Sequence, residues 1–165
     1  MAKRQNTGSA DPIDDIDLAL LHALKEDARA PIGTLSEAAG VSRATAYARL
    51  ARLREEGVIN SLTVTVDPKR VGFTVTAVVL LRSTTDVWKP WSSLAPLIEE
   101  MPEVEFAADI AGEFDLLLLV RLRDAEHLQR FITEELRLWI PGIAGTRTLL
   151  VLNQVLERSM VLPSK

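Results

Sequence analysis

The turn Asp67-Pro68 and the Gly72 that follows it divide this chain in two, with helix-spaced apolar residues dominating before it and β-rich runs appearing after it. Before the turn, Ile13, Ile16, Leu20, Leu21 and Leu24 recur at the spacing of one helix face, as do Ala46, Leu50 and Leu53. After it come short β-rich runs, Thr74 to Leu81, Val104 to Ile110, Phe114 to Leu122 and Gly145 to Leu152. Helical stretches, Trp88 to Met101 and Ala125 to Trp139, separate the first pair and the last pair. The order is therefore β-α-β-β-α-β, and 165 residues leave room for two small domains. The reading is an α+β chain with a tail at 1-12, a helical domain at 13-60, a strand and linker at 61-73, and a sheet-forming domain at 74-165.

The helical third reads as three short helices. Asp14, Asp15 and Asp17 favour a helix start, where backbone N–H groups present partial positive charge. Pro31 opens a second helix, with Ile32, Leu35, Ala38 and Ala39 along it before Gly40 makes the turn. Ser42 is placed to cap a third, which Gly57 ends. Asn60 to Val66 then alternates like a strand, so three helices and a strand read as a winged helix-turn-helix. In the second domain, Asp124 caps a helix with Leu128, Phe131, Ile132, Leu136 and Trp139 along one face. Pro96 is expected to kink or divide the helix before it.

Composition removes several function classes. There is no cysteine, so disulfides, thiolate zinc sites and cysteine nucleophiles are excluded. Lys3 and Arg4 are followed by polar residues and not by an apolar core, which reads as a disordered tail. The apolar run Leu116 to Val120, which none exceeds in length, falls far short of the ~20 residues that cross a bilayer. No membrane partner and a cytoplasmic location are the resulting expectations. The net charge of −4 argues weakly against nucleic acid, but the distribution matters more than the total. Ser42 to Arg54 contains Arg43, Arg49, Arg52 and Arg54 and no acid.

A helix of this kind after a tight turn can enter the major groove of double-stranded DNA. The planar arginine fork matches guanine O6 and N7, so Arg43 and Arg49 are expected at bases, with Thr45 and Tyr47 beside them. Ser42, at the positive end of the helix, and Arg52 and Arg54 are expected on phosphates. The competing reading of the same pattern is a solvated charged helix in a three-helix bundle.

The chain resembles the Lrp/AsnC family of bacterial and archaeal transcription regulators from Ile13 to about Leu162. The residues that carry this are Ile13-Asp14-Asp15-Ile16-Asp17, Leu20-Leu21, Leu24, Asp27, Arg29, Leu35, Gly40-Val41-Ser42, Arg49, Leu50, Leu53 and Glu56-Gly57-Val58-Ile59. In the second half they are Gly112-Glu113-Phe114-Asp115 and Thr146-Arg147-Thr148. The resemblance implies an ACT-like, ferredoxin-like β-α-β-β-α-β domain that oligomerises the protein and binds an amino acid or similar small metabolite. It implies a homodimer, with octamers built from dimers also found in the family. It places the effector at Gly112, Glu113, Asp115 and Thr148. Gly112 would let backbone amides approach a carboxylate, and Asp115 would accept from an ammonium group. A plain hairpin turn with a charged rim is the alternative for these residues. Ala108 and Ala111 stand where relatives often carry polar side chains, which suits a less polar ligand.

Two other function classes share parts of this pattern. Some relatives of this architecture are similar to sirohaem decarboxylases, and a winged helix also serves as a protein or RNA interaction module. No catalytic residue, metal site or cofactor is expected. His22 and His127 lack ligand spacing, and Glu99, Glu100, Glu103 and Glu105 read as solvated charge. Trp88, Trp91 and Pro96 read as apolar packing or an oligomer contact.

Overall fold

A computed structural model describes residues 12-84, 93-156 and 161-163. Two compact units result, Met1–Val64 with Glu157–Lys165, and Thr65–Leu156. The sheet-forming domain expected at 74-165 thus gives up its last residues: Leu162 packs against the apolar cluster of the first unit. His22 Nε2 in that unit lies 3.3 Å from the Pro163 carbonyl. The expectations attached to Trp88 and Trp91, and to the tail at 1-11, lie outside the described residues.

In the first unit, α1 (Asp15–Glu26) begins with a reciprocal cap. The Asp14 side chain accepts from the Asp17 N–H at 2.9 Å, and the Asp17 side chain accepts from the Asp14 N–H at 3.2 Å. The second helix, α2 (Ile32–Ala38), stops at Gly40, whose φ of 66° gives the left-handed turn that a side chain would resist. The third, α3 (Arg43–Glu55), starts where Ser42 Oγ accepts from the Thr45 N–H at 3.1 Å. Leu20, Leu21, Leu24, Leu35, Ala46, Leu50 and Leu53 bury together, so each helix contributes one apolar stripe to a single small core.

The expected wing strand does not form a ladder. Leu62, Val64 and Val66 are exposed, and the sheet among the described residues lies wholly in the second unit. Alternation prepares a face for burial, but a strand also needs a neighbouring strand to form a ladder, and no described strand pairs with this segment.

The second unit opens with a 3-10 turn, Pro68–Val71, capped by the Asp67 side chain on the Lys69 N–H at 3.0 Å. Its strands are β1 (Val75–Ser83), β2 (Val104–Asp109), β3 (Leu116–Leu122) and β4 (Ile143–Leu150). They form one antiparallel sheet in the order β2-β3-β1-β4, the arrangement two crossing βαβ units require. Short α4 (Ala95–Glu99) carries Pro96 in its first turn, where the missing N–H costs nothing, so the described part of the expected longer helix is one turn.

The helix after β3 continues without a break but not in one form. It runs as α5 (Ala125–Arg130), a π turn (Phe131–Glu135) and α6 (Leu136–Trp139). Five residues in one turn put Phe131 and Leu136 on the same side, and Ile140 follows one α turn later; all three are buried. The slipped phase turns Trp139 outward at 40% exposure, against its expected place on the apolar face.

The sheet has two unlike faces. Ala77, Val79, Leu81, Leu116, Leu118, Val120 and Leu122 pack under Leu94, Met101, Phe131, Leu136 and Ile140. The alternate residues, Val78, Leu80, Leu117 and Leu119, share the opposite face, and register places Phe106 and Leu149 beside Leu119 and Val78. Phe106 is 54% and Leu149 50% exposed. No described helix of this unit covers that face.

Candidate DNA interface and effector loop

The three core positions of α3, Ala46, Leu50 and Leu53, leave Arg43, Ala44, Thr45, Tyr47, Ala48, Ala51 and Arg54 outside. Tyr47 is 62% exposed, which for an aromatic on a three-helix unit marks a surface that packing does not use. Small Ala44, Ala48 and Ala51 keep the backbone approachable. Ser42 Oγ, besides capping, lies 2.8 Å from Thr45 Oγ1, so both hydroxyls stand together at the amino end of the helix.

Two arginines depart from the sequence expectation. Arg49 Nη1 donates to Asp14 Oδ2 at 2.6 Å and lies 3.4 Å from both Asp17 oxygens. Arg52 Nη2 donates to Asp17 Oδ2 at 2.5 Å, and its Nη1 donates to Glu56 Oε2 at 3.1 Å. Arg49 and Arg52 therefore face α1 and not the outward surface assigned to them. The physical reason is Asp17, which has 0% exposure: a carboxylate taken out of water must be matched by charge-assisted donors. The Asp17 backbone N–H first, and the Arg49 guanidinium with it, hold the Asp14 carboxyl below the ordinary 3.8.

Around the glycine loop the structure gathers some of the expected residues and separates others. Gly112 has φ of 150°, and a Cβ there would meet nothing within 4 Å, so the glycine serves the backbone and not a tight contact. Asp115 is less open than expected: its Oδ2 accepts from the Ser83 N–H at 2.8 Å, and its own N–H donates to the Leu81 carbonyl. One carboxylate oxygen is thus spent on closing the end of β1. Glu113 lies 3.7 Å from Arg147 Nη2, and the Arg147 guanidinium sits 5.1 Å from the Phe114 ring centroid. Thr148 does not join them. It pairs with buried Val79 on the helix side of β4, two strands away from β3, so within one chain Arg147 takes the place expected of Thr148. Ala108 lines a cleft of about 340 Å³ with Leu94, Ala95, Ile98 and Leu116, with Glu99 and Asp109 also on its wall.

The sequence spacing gave no hint of one further cluster, Glu103, His127 and Glu135, whose ligand-type atoms lie within 4.8 Å of one another. His127 Nδ1 accepts from the Arg123 N–H at 3.5 Å, which leaves the ring proton on Nε2, facing Glu103 at 3.5 Å. Glu135 accepts from Arg130 Nε at 3.0 Å. The three side chains thus lie close together, with His127 Nε2 facing Glu103 and Glu135 held by Arg130.

Comparison with known proteins accounts for both units. Residues 13-54 match the AsnC-type helix-turn-helix domain, and residues 76-161 match the Lrp/AsnC ligand binding domain. The chain belongs to the Lrp/AsnC family. It is 30% identical over 142 residues to the HTH-type transcriptional regulator FL11 of Pyrococcus horikoshii, covering 86% of this chain and 91% of that protein. Among solved structures, AsnC of E. coli matches with a TM-score of 0.79 at 27% identity, over 90% of this chain and 98% of that one. The feast or famine regulatory protein of M. tuberculosis, solved with L-methionine, matches with a TM-score of 0.82 at 28% identity, over 92% and 100%. As an Lrp/AsnC member, the chain is a DNA-binding transcriptional regulator with a ligand-binding domain. In this Lrp/AsnC chain the helix-turn-helix carries one feature the sequence reading missed, the partnership of Asp14 and Asp17 with Arg49 and Arg52. Its signal lay in matching spacings: two acids three apart on α1 face two cations three apart on α3.

Proposed function

We propose that this protein is a sequence-specific regulator that reads DNA with the outward face of α3 and adjusts that binding to a small amino-acid-like effector. The observation that carries the reading is the free face itself. Arg43, Thr45, Tyr47 and Arg54 stand exposed on a helix whose amino end offers Ser42 and unpaired amides, a surface suited to base edges and phosphate together. Arg49 and Arg52 are left out of the contact set because their guanidinium groups are occupied.

Assembly through the sheet supports this reading. The uncovered face with Val78, Leu80, Phe106, Leu117, Leu119 and Leu149 is apolar enough to need a cover, and a second copy of the same face supplies one with two-fold symmetry. A homodimer would then present two α3 helices to half-sites about 34-36 Å apart, and dimers could build a larger ring such as an octamer.

For the effector, the Gly112 loop offers backbone, Asp115 one remaining carboxylate oxygen, Glu113 a second acid, and the Ala108 cleft an apolar lining. An amino acid with an uncharged, apolar side chain fits these groups, and the M. tuberculosis relative solved with L-methionine makes methionine the first to try. Thr148 enters this site only if a neighbouring subunit brings its β4 there.

The test is binding by fluorescence anisotropy to duplexes from the DNA upstream of the protein's own coding sequence, with a scrambled duplex beside it. Arg43→Ala should cost about 1-3 kcal/mol on the matched duplex and less on the scrambled one. Equal losses on both would remove Arg43 from base reading.

A further inference from the structure

From the Asp14, Asp17, Arg49 and Arg52 cluster we infer that the two aspartates act as an internal substitute for DNA phosphate, holding two arginines of α3 off the nucleic acid and so suppressing sequence-independent binding. The inference rests on the DNA-binding reading of α3.

The position of the arginines gives the cluster its consequence. Arg49 follows Thr45 and Arg52 follows Ala48 by one helical turn, so each lies directly behind an exposed residue of the outward face. Their side chains keep some contact with solvent, and a rotamer change would carry either guanidinium to that surface. The aspartates oppose the change. Asp17 binds both cations at once and is itself tied to the Asp14 N–H, while Asp14 gives Arg49 its shortest contact. Carboxylate oxygens meet the guanidinium forks here as phosphate oxygens would. Of the four arginines on α3, two are thereby neutralised and Arg43 and Arg54 are left for DNA.

This has a direct effect on sequence-independent binding. Phosphate contacts strengthen binding to every sequence alike, whereas specificity is the ratio between the right site and all others. Two cations withheld from phosphate lower the shared part and leave the base contacts untouched. Asp14 and Asp17 are on this account positioning residues, acting through Arg49 and Arg52 and not through any contact of their own with DNA.

The experiment measures binding of the full-length protein to a 40-base-pair duplex of mixed sequence between 50 and 200 mM salt. The proteins are wild type, Asp14→Asn, Asp17→Asn, the triple variant Asp17→Asn with Arg49→Gln and Arg52→Gln, and Arg52→Gln alone. Asn keeps the cap at position 14, and Asp14 is partly exposed, so that variant tests the idea even where Asp17→Asn melts early. Asp14→Asn and Asp17→Asn should bind the mixed duplex more tightly than wild type at 50 mM salt. The advantage should shrink about 3.5-fold per released arginine by 200 mM, the consequence of a slope near 0.9 per phosphate contact. The triple variant should return to the wild-type slope, and Arg52→Gln alone should leave that slope unchanged. A merely structural role predicts weaker binding and no steeper slope, and that result overturns the inference. So does a shallower slope for Arg52→Gln, which would show Arg52 already on phosphate. If neither wild type nor any variant binds the duplex at 50 mM, the DNA-binding reading and this inference fall together; if wild type binds and the aspartate variants gain nothing, only the inference falls.

Discussion

The two units solve the problem of an exposed working face in opposite ways. The helix-turn-helix unit is complete in one chain: its core closes on Leu20, Leu35 and Leu53, and its buried acid is matched by Arg49 and Arg52. What α3 shows outside is polar or small apart from Tyr47. The sheet unit is closed on one side only. Val79 and Leu118 lie under helices, while one residue along each strand Leu80 and Leu119 lie on a face that no described helix of this unit covers. The contrast teaches that a surface for a polar partner can be finished within the monomer, because water substitutes for the partner. An apolar one waits for its cover.

The contrast can be broken most forcefully at the closed side of the sheet. Leu118→Ala removes a fully buried side chain and should cost about 2-5 kcal/mol in chemical denaturation. A loss under 1 kcal/mol would mean the helices do not seal that face. On the open side the expected effect is on assembly. Phe106→Asp should weaken self-association by about 2 kcal/mol, roughly thirtyfold in the dissociation constant, with the fold retained. Analytical ultracentrifugation showing the same species for both proteins would free this face from the interface.

Asp115 separates structure from sensing at smaller scale. Asp115→Ala loses the bond to the Ser83 N–H, worth about 0.5-1.5 kcal/mol, whereas Asp115→Asn keeps an acceptor there and loses only charge. If Asp115 anchors an ammonium group, both variants lose methionine binding in calorimetry while only the alanine variant melts lower. Smallest is the acid response of Asp14. Its carboxyl is held below 3.8, so folding favours the ionised form. The stabilisation is complete above that value and is lost as pH falls through the lower, folded-state value. Asp14→Asn should flatten that part of the melting-temperature profile below pH 4, and an unchanged profile would place the acid sensitivity elsewhere.

Much of the fold was legible because it is written in local period and caps. Asp14, Ser42, Gly40 and Gly57 bound the helices of the first unit where the sequence places them, and the succession of strands and helices in the second follows from alternation and helix spacing. What escaped depends on partners far along the chain. Arg49 and Asp14 are separated by 35 positions, and an arginine beside a helix-turn-helix turn looks the same whether it meets phosphate or carboxylate. Asn60 to Val66 has the pattern of a strand but joins no ladder among the described residues. Thr148 was assigned from a triplet, Thr146-Arg147-Thr148, in which strand alternation sends Arg147 one way and its neighbours the other. The π turn left a trace that went unread, the five-residue interval from Phe131 to Leu136.

That turn also bears on the protein's history. A helix that acquires one extra residue must either rotate everything after it by about 100° or absorb the residue in a widened turn. Phe131–Glu135 has the form of such a widened turn, with Leu136 and Ile140 buried beyond it and β4 in register on β1. The segment between β3 and β4 is therefore tolerant of a single insertion or deletion in a place where helices usually are not. A chain one residue shorter at Thr133 would carry an unbroken α-helix over the same sheet, and homologues that differ by one residue there need differ in nothing else.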